Sequence, residues 1–471
     1  MKSLLRALII ALLLAGCSDD SGPTPDSGPQ PDARADGAAP DAGKDAKALP
    51  PDGGATLAQL VEGAVKADCT GSWIKSIASS GAKPADVRKE LVALDRKLKL
   101  KKWTTGYSYG HKVKIDFKVP ELKGYSYDYT LYVPAAYKGD SKKPFALWVD
   151  PAHPNSPLKD TYTLKSIATR GKDRFIVVGI NFMNVLYQKM DKASYAALGN
   201  KGMAFYQDNF SLFDEVIARV KRDFHIDVTK VYISGISAKG ASSWFHGIFA
   251  SDHYAAIHPV SIIPVDWHKE MYLNLMNMGV YVWQGDADTI TPLSKVKPMI
   301  DKIKGYGLKV FIYVQKGGSH GGTLYYNAMS SIIAVLLKNY TRTLTPARVH
   351  KGIMTSRATS AYWLEASKVS AALPSSMYKT AVPPAVMDAS WKGNKVTFQQ
   401  AKGIAELKIK WRAAAATGPG EGKVGDKLSV ELGGKTLGPF TLQEHPTLAV
   451  EEYCRYGDIS RLWAGQVVIK Q

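Results

Sequence analysis

Cysteine is scarce, with three residues in 471. That excludes a disulfide-framework fold, and Cys17, Cys69 and Cys454 are too few to build a cysteine zinc site. Long apolar runs are also missing. The run from Ala7 to Leu14 is too short to span a bilayer as a mature helix, and no later segment is long enough. Acid is short relative to base, 42 Asp and Glu against 61 Lys and Arg, a net charge of +19. Yet no five basic residues stand in a row and no nucleic-acid motif occurs, so nucleic acid is not an expected partner. The charge suits an anionic surface or acidic polysaccharide, or simply a solvated exterior. The histidines show no metal-ligand spacing, no metal is expected, and no solenoid repeat is present.

What is present is ordinary globular composition, 45% apolar and 10% aromatic, enough for two packed cores. Lys2 and Arg6, the apolar run and the small Ala15 and Gly16 read as a cleaved export signal. The stretch Leu14-Ala15-Gly16-Cys17 resembles a bacterial lipobox. That resemblance implies an exported lipoprotein, periplasmic or on the cell surface, with Cys17 lipidated and anchored in a membrane. The alternative is a plain signal ending near Ala15. Residues 18–55 are mostly Ser, Asp, Gly, Pro and Ala, too poor in large apolar side chains to offset ordering entropy, and are expected to form a disordered tether. In an exported protein Cys69 and Cys454 can pair, tying the helical lead-in to the far C-terminus.

Residues 56–105 carry helical periodicity, with Val87, Leu91, Leu94 and Leu98 on one face. From Val113 to Val119 the period changes to alternation, a half-buried strand, with YDYTLYV as its hairpin partner. Beyond Pro144 apolar strands alternate with amphipathic helices up to about 345, which predicts an α/β domain over 106–345: a mostly parallel sheet with helices on both faces. Residues 346–471 read as short strands between Gly, Pro, Asn and Lys turns, a small C-terminal antiparallel β domain.

The chemistry centres on a strand, Lys230 to Ser234, that runs into Gly235-Ile236-Ser237-Ala238-Lys239-Gly240 and then a helix. A serine on such a turn is exposed at the sheet edge, and the Ala238 N–H at the helix start can face a developing oxyanion. Together with Ile226-Asp227, Val231-Tyr232 and Tyr254-Ala255-Ala256, this segment resembles the esterase branch of the α/β-hydrolases that includes polyhydroxybutyrate depolymerases and feruloyl and acetylxylan esterases. The resemblance runs from about Tyr127 to Leu336 and implies a Ser-Asp-His triad. Its members are serine hydrolases acting on carboxylic esters through an acyl-enzyme, with no cofactor and with substrates that can be polymeric.

The acid is expected at Asp288 in GDADTITP, with Asp286 as the competing choice, and the base at His320 in the Gly-rich loop after the next strand. Gly317-Gly318-Ser319-His320-Gly321 also satisfies G-x-S-x-G as a string, but no Asp and His follow it in order, so Ser319 is read as a loop residue. Two positions depart from the branch. Lys239 stands where it has glycine, so the elbow must splay or turn the lysine outward. Asp150-Pro151-Ala152-His153 stands where it has His-Gly. Pro151 has no N–H, which leaves Ala152 as the second oxyanion donor, with His153 facing the pocket. These departures keep two alternatives open: a serine peptidase of the prolyl-oligopeptidase type, and a surface binding protein built on a degenerate hydrolase.

Overall fold

The computed structural model describes residues 54–471, apart from 68, 70, 101–102, 104, 106–107, 115–125, 138–142, 152–160, 181–202, 357, 372–381 and 414–418. The expected signal, Cys17, nearly all of the tether, the end of the first strand, Ala152 and His153 lie outside the described residues.

Three helices lead in: α1 (Leu57–Lys66), α2 (Gly71–Ser79) and α3 (Pro84–Lys99). Thr56 and Gln59 cap α1 reciprocally, the Gln59 N–H donating to Thr56 Oγ1 and the Thr56 N–H to Gln59 Oε1. Pro84 opens α3, where its missing N–H costs nothing.

An eight-stranded sheet follows: β1 (Ser108–Lys114), β2 (Ser126–Tyr132), β3 (Phe145–Pro151), β4 (Phe175–Ile180), β5 (Ile226–Ile236), β6 (Ala256–Val260), β7 (Gly279–Gly285) and β8 (Val310–Gln315). Its spatial order is β1-β2-β4-β3-β5-β6-β7-β8. β1 pairs antiparallel with β2 and β2 with β4; every pairing from β4 to β8 is parallel. Between the strands run α4 (Thr161–Arg170), α5 (Met203–Asp223), α6 (Ala238–Phe249), the short α7 (Lys269–Tyr272), α8 (Leu293–Lys304) and α9 (Gly322–Asn339).

Strand alternation explains why both faces are covered. Leu147, Val149, Val231, Ile233, Val280 and Val282 join one core with Phe213 and Val216 of α5, Trp244 and Ile248 of α6, and Val296 and Ile300 of α8. Their neighbours Trp148, Tyr232, Tyr281 and Trp283 point the other way, to Leu164 and Ile167 of α4 and Met329 and Ile332 of α9. A strand buried on both faces reads as a continuous apolar run, which is what FALWV and FIVVGI are.

The C-terminal part holds two five-stranded sheets. One runs β17 (Lys435–Thr441), β16 (Lys427–Leu432), β13 (Lys395–Lys402), β12 (Ala385–Lys392), β9 (Arg348–Ile353). The other runs β10 (Ser360–Ala361), β11 (Leu364–Val369), β14 (Ile404–Ala413), β15 (Glu421–Gly422), with β18 (Gly465–Lys470) also on β14. Both line one core, around Trp363, Trp391 and Trp411. The sheets are not wholly antiparallel as expected: β13 pairs parallel with β16, and β14 with β15. A helix absent from the sequence reading, α10 (Leu448–Tyr456), returns to pack on α5, α3 and α1. Cys454 on α10 is disulfide-bonded to Cys69, with Cα atoms 6.1 Å apart. Tyr453 donates to Asp95 of α3 at 2.7 Å. The described residues form one compact unit.

Candidate active site

Ser237 sits where β5 turns into α6. Its φ of 57° and ψ of −120° lie in a region that non-glycine residues seldom adopt. The turn is held from both sides: the Ser237 N–H donates to Val260 O at 2.9 Å, and its C=O accepts the Ala241 N–H at 2.9 Å. Two glycines let it close. A Cβ on Gly235 would overlap the Cβ of Lys239, and one on Gly240 would stand 2.9 Å from Gly235 O and 3.0 Å from Val260 O. Ala238 opens α6, so its N–H has no acceptor within the helix and lies at the positive end of the helix dipole.

Asp288 lies just beyond β7 and is buried. Oδ1 accepts the Ile290 N–H at 2.9 Å and the Thr291 N–H at 2.8 Å; Oδ2 accepts Thr291 Oγ1 at 2.7 Å and Gln284 Nε2 at 3.1 Å. His320 Nδ1 then stands 2.9 Å from Oδ2 and 3.1 Å from Oδ1. Burial works against the charge on this carboxyl. The hydrogen bonds from His320 and from the backbone and hydroxyl of Thr291 more than offset it, holding Asp288 well below the usual carboxylate range. Asp286, the competing acid, instead accepts the Gly317 N–H at 2.7 Å and so fixes the histidine loop.

With Nδ1 facing the carboxylate, His320 keeps Nε2 buried and without a hydrogen-bond partner among the described residues, Ser237 included. Its loop nonetheless packs on the elbow: a Cβ on Gly321 would stand 2.8 Å from Cγ2 of Ile236, the residue before Ser237. Base-to-nucleophile bonds are commonly long before substrate arrives. Asp288 and His320 are thus in direct contact, and Ile236, the residue before Ser237, lies close to the histidine loop. A carboxylate and an imidazole so arranged can take up a proton at Nε2 while the carboxylate steadies the imidazolium.

Lys239 does not turn outward. Its Nζ reaches across to Asp150 on β3, 3.2 Å from Oδ2, with both side chains largely buried. The two positions at which the sequence departs from the esterases it resembles therefore contact each other. Ala152 and His153 lie outside the described residues. Sequence reasoning missed Thr291 and Gln284 as supports of the acid. The spacing Asp288-x-x-Thr291 carried a signal for the first, since an aspartate accepting from residues two and three ahead is a common turn.

No protein-family model and no curated protein matches the chain. Among solved structures, a thermostable esterase is similar at 15% identity and a TM-score of 0.36, over 50% of this chain and 63% of that one. An arylesterase is similar at 13% identity and a TM-score of 0.36, over 59% of this chain and 97% of its own. An S-formylglutathione hydrolase of Staphylococcus aureus is similar at 14% identity and a TM-score of 0.36, over 50% of this chain and 99% of its own.

Proposed function

We propose that the chain is a serine esterase of the α/β-hydrolase type that cleaves carboxylic esters through Ser237, His320 and Asp288. The observation that carries this reading is the buried Asp288–His320 contact, formed between loops after adjacent strands and packed against the strained Ser237 turn. In the reaction Ser237 Oγ attacks the carbonyl carbon and passes its proton to His320 Nε2. The Ala238 N–H faces the oxyanion, and the collapse returns the proton to the leaving alcohol. Water then repeats the sequence on the acyl-enzyme and releases the acid. Polyester, feruloyl and acetyl-polysaccharide esters are the substrate classes that the family resemblance favours. Export and lipid anchoring through Cys17 belong to the same proposal, and they would hold the enzyme at a membrane surface facing polymeric substrate.

The test is hydrolysis of p-nitrophenyl acetate set beside peptide anilides. The ester should be cleaved and the anilides not, and Ser237→Ala should lower ester turnover by about 10³-fold or more. Anilide cleavage that depends on Ser237 would replace the esterase reading with a peptidase. Folded protein that cleaves neither would replace it with a binding role.

A further inference from the structure

Ser261, the first residue after β6, has no place in the chemistry above, yet three parts of the site meet there. Its N–H donates to Trp283 O at 3.0 Å on β7, the strand that delivers Asp288. Its Oγ accepts the Gly321 N–H at 2.9 Å, one residue beyond His320. The carbonyl of its neighbour Val260 accepts the Ser237 N–H at 2.9 Å. A two-residue segment thus grips the nucleophile's backbone, the acid's strand and the base's loop. Ser261 is also fully buried, and its φ of 49° is one that glycine adopts more easily. The residue in that strained conformation is the one whose hydroxyl holds the histidine loop.

We propose that Ser261 is a positioning residue that sets the spacing between Ser237 and His320. A Cβ on Gly321 would stand 2.8 Å from Ile236 Cγ2, so the histidine loop passes close to the elbow and outward is its freer direction. Without Ser261 Oγ, the Gly321 N–H becomes a buried donor with no acceptor, and the loop relieves it by moving outward. His320 then moves with it, and a displacement on the order of 1 Å in such a relay costs up to about 100-fold in rate.

This inference rests on the serine-hydrolase reading, and Ser261→Gly separates the two. Glycine removes the hydroxyl while suiting the backbone, so relief of the left-handed strain offsets part of the cost of the lost hydrogen bond. We expect kcat on p-nitrophenyl acetate to fall about 10- to 100-fold with KM within about twofold, and fluorophosphonate labelling to slow in parallel. The thermal midpoint should change little, the relieved strain opposing the lost hydrogen bond. Ser261→Ala should lose kcat equally and in addition lower the midpoint, because it keeps the strain. Wild-type kcat and labelling rate in Ser261→Gly would overturn the inference alone. Absence of labelling in folded wild-type protein would overturn it together with the reading beneath it.

Discussion

Lys239 and Asp150 show how one residue's oddity can depend on another far along the chain. A lysine at the elbow and an aspartate before Pro151 would each alone leave a charge largely buried without its counter-ion. Together they make an ion pair that joins the start of α6 to the end of β3. Removing one partner strands the other, whereas removing both strands neither. Lys239→Met and Asp150→Asn should each destabilise the fold by about 2 kcal/mol in urea titrations. The double variant should lose less than their sum, with a coupling of about 1–3 kcal/mol. Strict additivity would show that the pair contributes nothing. Ser237, Asp288 and His320 could be singled out in the sequence because a triad would impose residue type and order, each after its own strand, and the structure brings Asp288 and His320 of the three into contact. The sequence could not show the Lys239–Asp150 contact, since 89 positions separate the two residues and only the register of β3 beside β5 brings them together.

At the scale of elements, α6 has to bury whatever lies on its inner face, and His246 lies there. Its ring stacks on Phe213 of α5 at 3.8 Å and meets Phe210 edge-on. Neither ring nitrogen has a hydrogen-bond partner among the described residues. Burial pushes its pKa down to about 3. The unfolded chain takes up a proton near pH 6.5 and the folded chain does not until about 3, so stability falls as pH drops through that window. From pH 7 to 5 the loss from this group should be about 2 kcal/mol. His246→Leu should flatten that part of the pH dependence in thermal melts; an unaltered slope would show that the ring is not so buried. The long periodic elements were readable from sequence, as the helix around Val216 and the apolar strands show. Helix α10 was not, because nine residues give too few turns for a period to stand out. The parallel pairs β13/β16 and β14/β15 were also invisible, because strand direction is a property of the return path rather than of composition.

For the molecule as a whole, the C-terminal sheets are joined to the central-sheet part by buried charge. Arg461 pairs with Asp252 at 2.8 Å, and Arg342 with Asp458 at 2.5 Å. Asp252 follows α6, while Arg461 lies just before β18. Burial opposes the charge of Asp252, and Arg461 chief among its neighbours overrides that and holds the carboxyl far below its ordinary range. Lys351 of β9 adds a bond from Nζ to Phe249 O at 2.6 Å. Arg461→Met should therefore cost about 3–5 kcal/mol, seen as a lower urea midpoint for the whole chain in one transition. A separate early transition of the C-terminal part would show instead that the two parts unfold independently. The sequence marked a change of character near residue 346, but the pairing across it was not legible, since each partner looks like an ordinary surface charge until the fold buries it.

The most direct measurement is the site of covalent reaction. Wild-type protein treated with a fluorophosphonate, digested with trypsin and sequenced by mass spectrometry should carry the adduct on Ser237, in the peptide Val231–Lys239, and Ser237→Ala should carry none. An adduct on Ser319, whose flanking glycines also satisfy the nucleophile string, or no adduct on folded protein, would contradict the account.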